Sequence, residues 1–119
     1  MNSHRAIILN GLQELSNASE SGQDCQVTFE ANDQEHWLQC SPTRIHMDWP
    51  FVSPPAENGQ LRRCFGQGIQ IDAWEADSFA TFFPLNRDVE SLIAGIDRAF
   101  QDLYGLGADY ILTYKIENG

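Results

Sequence analysis

The stretch NRDVESLIAGIDRAFQDLYG, Asn86 to Gly105, decides how this chain folds. Val89, Leu92, Ile93, Ile96, Ala99, Phe100, Leu103 and Tyr104 recur at i, i+3, i+4 and i+7, which gathers them in one stripe along a helix. Asn86 supplies an N-cap, and Asp88 and Glu90 place carboxylates in the first turn, at the positive end of the helix dipole. Gly105 stands where a left-handed closing residue is wanted. A stripe this wide needs a surface to cover, and most of the remaining chain reads as strand.

On the C-terminal side, Asp109 to Glu117 alternates Tyr110, Leu112, Tyr114 and Ile116 with Ile111, Thr113 and Lys115, the period of a strand. On the N-terminal side, Ser78 to Phe83 sets Phe79 and Phe83 on one face and Phe82 on the other, which predicts a strand covered on both sides. Ile69, Ile71 and Ala73 alternate with Gln70, Asp72 and Trp74, so these two pieces form a hairpin around Glu75 to Asp77. Gly66-Gln67-Gly68 reads as a bend and Leu61 to Phe65 as a further extended piece. Pro50, Pro54 and Pro55 with Asn58-Gly59 predict an exposed loop from Pro50 to Gln60.

Farther back, Ile45, Met47 and Trp49 share one face of a strand from Arg44 to Trp49, His36 to Cys40 is a second strand, and Cys25, Val27, Phe29 and Ala31 alternate along a third. The chain begins with a helix from Ser3 to Ser16 carrying Ile8, Leu12 and Leu15. Gly11 inside it costs about 1 kcal/mol relative to Ala, and the polar run Asn17 to Asp24 reads as a linker.

The 119 residues suffice for a single domain, 1–119. Hydrophobic residues at 42%, charged residues at 20% and thirteen aromatics describe a globular composition. Seventeen carboxylates against seven Lys plus Arg give a net charge of −10, which repels phosphate, so no nucleic acid and no membrane partner is expected. With a pI near 4.4, the protein is expected to precipitate at about that pH, where its colloidal repulsion vanishes. No apolar run approaches the roughly 18 residues that span a bilayer. The short run Ala6 to Leu9 after Arg5 argues against a secretory signal. Cys25, Cys40 and Cys64 lack CxxC spacing and fit reduced thiols in a bacterial or other cytoplasm, with one Cys pair left open.

The imidazoles are His4, His36 and His46, and His36, Cys40 and His46 form the best local metal-ligand cluster. On a strand His36 and Cys40 stand about 13 Å apart. No metal is therefore expected. No nucleophile motif is present, and Asp72, Glu75 and Asp77 fit a solvated hairpin turn, so no catalytic residue is assigned. Gly66-x-Gly68 lacks both a third glycine and a P-loop lysine, and no cofactor is expected.

The expected fold is α+β: an antiparallel sheet of about five strands, with the N-terminal helix and the long late helix on one face. The order is α-β-β-β-β-β-α-β, one strand left open. Val27, Phe29, Ile45, Ile71, Leu92, Ile96, Phe100 and Leu112 are its expected core. This order in a small acidic chain, sharpest at VESLIAGIDRAFQDLYGL from Val89 to Leu106, resembles the type III secretion chaperone-like group that includes the YbjN-like proteins. Two departures are legible. The Pro50 to Gln60 loop stands where secretion chaperones place a middle helix, and Tyr110 to Ile116 adds a strand where they end in helix.

The resemblance implies a non-enzymatic module that holds a partner polypeptide, or a second copy of itself, against apolar surface. A small domain buries only about two thirds of its chain's surface, so some large aromatics must stay accessible. Trp49, Phe51 and Trp74 are the expected contact residues, rimmed by Asp48, Asp72 and Glu75. An immunity or antitoxin-type protein that neutralises a basic toxin is the alternative, and a small hydrolase or isomerase a second.

Overall fold

The computed structural model describes residues 3–22, 25–32, 35–66, 68–84 and 88–118. The elements run α1 (Ser3–Glu20), β1 (Cys25–Ala31), β2 (Trp37–Cys40), β3 (Ile45–Trp49), α2 (Gly59–Phe65), β4 (Gln70–Glu75), β5 (Ser78–Phe83), α3 (Val89–Arg98) and β6 (Leu112–Asn118). The six strands form one sheet in the order β4-β5-β3-β2-β1-β6, every pair antiparallel. The class is the expected α+β, with one strand more than five. Among the described residues no helix is long and apolar enough to cross a membrane.

α3 forms where its stripe predicts it and continues through a wider π turn at Ala99–Leu103. Asp88, rather than a residue inside the first turn, is its N-cap: the carboxylate accepts from Ser91 N at 3.0 Å. Asn86, the expected cap, lies outside the described residues. That bond holds the Asp88 carboxyl below the usual carboxylate range. A depressed carboxyl pKa means stability that is present at neutral pH and is lost as pH falls through the folded-state value, so the start of α3 should fray on acidification. Amide exchange at Ser91, compared between Asp88→Asn and Asp88→Ala across that range, checks it. Gly105 closes the segment with φ 72°.

α1 runs one turn past the expected Ser16, with Ala18 packed against the core, and stops where Gly22, at φ 81°, accepts the left-handed conformation. Leu61–Phe65, expected to be extended, is helical. Asn58 accepts from Leu61 N at 2.9 Å as N-cap, and Leu61, Cys64 and Phe65 bury at i, i+3 and i+4. The proline loop thus contains a 3-10 turn at Pro55–Glu57 and hands directly into α2.

The core lies between the sheet and the helices. Val27, Phe29, Ile45, Ile96, Phe100 and Leu112 are buried as expected, whereas Ile71 and Leu92 only pack against the core from its margin. Ile71 belongs to the edge strand β4, and Leu92 borders an open recess. Two glycines set how closely the layers approach. A Cβ on Gly11 would lie 2.8 Å from the fully buried Phe29 ring, and one on Gly95 would lie 2.5 Å from Cys64 O. Gly11 is therefore a contact rather than a weak helix position. Gly11→Ala is expected to destabilise by about 1–3 kcal/mol in urea unfolding, overpacking outweighing the propensity gained.

Cys25, Cys40 and Cys64 are free and buried, and no pair forms. Burial pushes the Cys40 and Cys64 thiols up to about 12, Arg98 only partly opposing this at Cys64. The folded protein should therefore resist iodoacetamide at about pH 8, with all three thiols reacting once it is unfolded. Fast labelling of the native state would contradict their burial.

Candidate functional site

The described helices all pack on one face of the sheet. Strand alternation sends Val27, Phe29, Leu38, Cys40, Ile45, Met47, Trp49, Ala80 and Phe82 to that face, where all are buried. The opposite phase forms an open face, and the strand registers align its side chains in rows across the sheet. Neighbours in a row stand about 5 Å apart.

The first row has two pieces, Glu30–Trp37 across β1 and β2 and Asp48–Phe79–Glu75 across β3, β5 and β4, which meet just beyond Leu38–Met47, the last pair of the β2–β3 register. The second reads Lys115, Thr28, Gln39, His46, Thr81, Ala73. In the third, the Arg44 guanidinium lies 5.6 Å above the centre of the Phe83 ring and 2.9 Å from the Asp72 carboxylate. His46 joins the first two rows, its ring 5.2 Å from both Trp37 and Phe79. An aromatic band thus crosses the middle of the open face, each of its rings half-buried.

The band is held from both sides. His46 Nδ1 and Thr81 Oγ1 are hydrogen-bonded at 2.6 Å. From the helix side the Tyr104 hydroxyl donates to Asp48 O at 2.6 Å, with Trp37 O at 3.2 Å, so one phenol fixes the backbones of two first-row residues. The His36 ring packs on that of Tyr104 at 4.5 Å. Tyr104→Phe is expected to cost about 1 kcal/mol, because the two carbonyls lose their shared donor. Burial lowers the His46 pKa, so the ring is neutral at pH 7. The unfolded chain then takes up the proton first as pH falls, and stability should decline below about pH 6.5. Replacing His46 by Gln should flatten that part of the profile in denaturant titrations.

The expected contact residues divide between the two faces. Trp49, expected to be exposed, is fully buried on the helix side, its Nε1 donating to Ser53 O at 2.9 Å. Phe51 is half-buried, edge-on to Trp49 at 4.8 Å. Trp74 is 38% exposed but does not point away from Ile71, as simple alternation predicts. A bulge between Ile71 and Ala73 resets the phase and pairs Trp74 with Ala80 on the helix side. The three carboxylates go elsewhere: Asp48 and Glu75 stand in the first row, and Asp72 meets Arg44. Asp48 and Glu75 flank Phe79; Trp37, His46 and Phe79 are not among the expected contact residues, and Phe79 and Phe83 face this uncovered side rather than a second layer.

His36, Cys40 and His46 do not converge, since Cys40 is buried on the helix face and His46 lies on the other. Among the described residues no group of three His, Cys, Asp or Glu could hold a metal ion. A recess of about 380 Å³ opens between α1, the start of α3 and the β2–β3 turn, floored by Leu12, Leu15, Cys40 and Ile45, with Ser16, Ser19 and Thr43 at its rim. Glu20 and Arg44 also line it. Comparison with family models, with characterised proteins and with solved structures gives no match for this chain.

Proposed function

We propose that this chain is a non-enzymatic, chaperone-like module that binds a partner polypeptide on the open face of its sheet. The observation that carries the proposal is the band Trp37–His46–Phe79, three rings in contact on a face that the described helices leave uncovered. Clustered aromatics in a polar rim are the composition of an interface centre.

The partner is a polypeptide rather than nucleic acid or a membrane, because a net charge of −10 repels both phosphate and anionic lipid. The buried thiols suit a reducing, cytoplasmic setting. The immunity or antitoxin reading draws on the same surface: the carboxylates Glu30, Asp48 and Glu75 in the first row would steer a basic toxin.

Trp37→Ser and Phe79→Ser test the surface, using light scattering for self-association and affinity capture for a partner. Both residues are half-buried, so stability should fall by only about 1 kcal/mol while partner capture is lost. Capture equal to that of the unaltered protein would remove the open face from the account.

A further inference from the structure

β6 ends the strand order and pairs on one side only, with β1. An unpaired strand edge is a template for a further strand, and folds commonly break such edges. β4, at the other end of the sheet, is broken by the bulge between Ile71 and Ala73, whereas the seven residues of β6 hold one unbroken register. Two bonds at the end of β1 give the phase of that edge. Asn32 N donates to Ile111 O just ahead of the β6 ladder, and Ala31 N donates to His36 O on the β2 side. Antiparallel alternation then turns the N–H and C=O of Thr113, Lys115 and Glu117 toward β1, and those of Leu112, Tyr114, Ile116 and Asn118 outward. Among the described residues no hydrogen bond reaches the outward groups of Tyr114 or Ile116. Leu112 is buried, so the accessible edge begins at Tyr114.

We propose that a second copy of the chain pairs with this edge, β6 against β6 and antiparallel, about a twofold axis at Ile116. Charge selects the copy and the register. Lys115, the single lysine of the chain, and Glu117 lie on the open-face side, opposite Thr28 and Gln26 of β1. The Thr28 hydroxyl donates to one Glu117 oxygen at 2.6 Å, which fixes the carboxylate and leaves its other oxygen to accept. A lysine on an edge ordinarily repels a further strand. Here the same strand carries the counter-charge two residues on, so an axis at Ile116 sets each Lys115 opposite the other copy's Glu117. Tyr114, Ile116 and Asn118 then exchange backbone bonds with Asn118, Ile116 and Tyr114 of the second copy. An axis at Lys115 would oppose two ammonium groups, and one at Tyr114 would need the buried Leu112. Each chain has a net charge of −10, but residues 114–118 hold one Lys and one Glu and are neutral. The axis stands perpendicular to the sheet, so the two open faces would continue one another on the same side.

Sedimentation equilibrium of the whole chain tests the pairing by charge reversal. Lys115→Glu and Glu117→Lys should each weaken dimerisation by about tenfold, and the two together should restore it, because each facing pair is again opposite in sign. Bulk charge predicts otherwise, since Glu117→Lys makes each copy less acidic and would strengthen association. Ile116→Cys reads the register independently: its thiols meet at the axis and should oxidise to a covalent dimer, whereas Thr113→Cys, three residues away on each strand, should not. The native thiols are buried and take no part.

A chain that stays monomeric at millimolar concentration, a dimer indifferent to both reversals, or one strengthened by Glu117→Lys would overturn the inference. Failure of the double reversal to restore pairing in a chain of native circular dichroism would do the same. If a reversal unfolds the chain, the cysteine variants decide: a covalent dimer from Ile116→Cys alone supports the pairing, and any other pattern overturns it. Trp37→Ser should leave the dimer intact, which separates this edge from the partner-binding face.

Discussion

Trp49→Ala is expected to lower the unfolding free energy by about 3–5 kcal/mol. Trp49 is the largest of the fully buried side chains, at 0% exposure, and its indole N–H is satisfied by Ser53 O at 2.9 Å. Removing the ring leaves a cavity bounded by a strand that is paired on both sides, β2 and β5 holding β3 in place, so the walls cannot collapse to fill it. The loss is a large part of the roughly 5–15 kcal/mol that stabilises a domain of this size. Phe51→Ala and Trp74→Ala remove half-buried or exposed rings and should cost far less. Urea unfolding of the three variants separates them, and a near-native stability for Trp49→Ala would mean that the ring belongs to a surface after all.

Phe100→Ala is expected to cost a similar 3–5 kcal/mol through a different part of the core. Its ring is fully buried in the π turn, stacked on Tyr110 at 5.4 Å and edge-on to Tyr104 at 5.5 Å. Tyr110 in turn donates its hydroxyl to Asp97 at 2.8 Å and stacks on the His4 ring, and its carbonyl is hydrogen-bonded to His4 Nε2. Loss of Phe100 therefore loosens the contact of α1, α3 and the approach to β6 together. Thermal unfolding should show the effect as a Tm lowered by many degrees, and a shift of only a degree or two would contradict the packing.

Much of this architecture is legible in the residues. The stripe from Val89 to Tyr104 can only be a helix, and the alternations along Cys25–Ala31, Arg44–Trp49 and Asp109–Glu117 mark strands, although the last pairs only from Leu112, residues 109–111 lying outside the ladder. Period two, however, tells which side chains share a face and not which face is covered. Trp49 shares its phase with Ile45 and Met47, and phase rather than aromatic size decides its burial. The Trp74 error is of another kind: a single bulge at Asp72 reverses the phase of everything after it, and no residue there announces the insertion. Leu61, Cys64 and Phe65 after Asn58 carried a helical signal that the neighbouring prolines and glycine obscured. The aromatic band was out of reach, because Trp37, His46 and Phe79 come from three strands whose adjacency depends on the order β5-β3-β2.

The surface assigned to the partner can be tested directly by site-specific photo-crosslinking in the cell of origin. A benzophenone-bearing amino acid would be placed in turn at Trp37, at Phe79 and, as a control on the helix layer, at exposed Glu14. If the open face is the binding surface, Trp37 and Phe79 should each yield the same discrete covalent adduct with a second polypeptide, and Glu14 none. An adduct formed from Glu14 but from neither face position would contradict the assignment and move the partner to the helical side of the sheet.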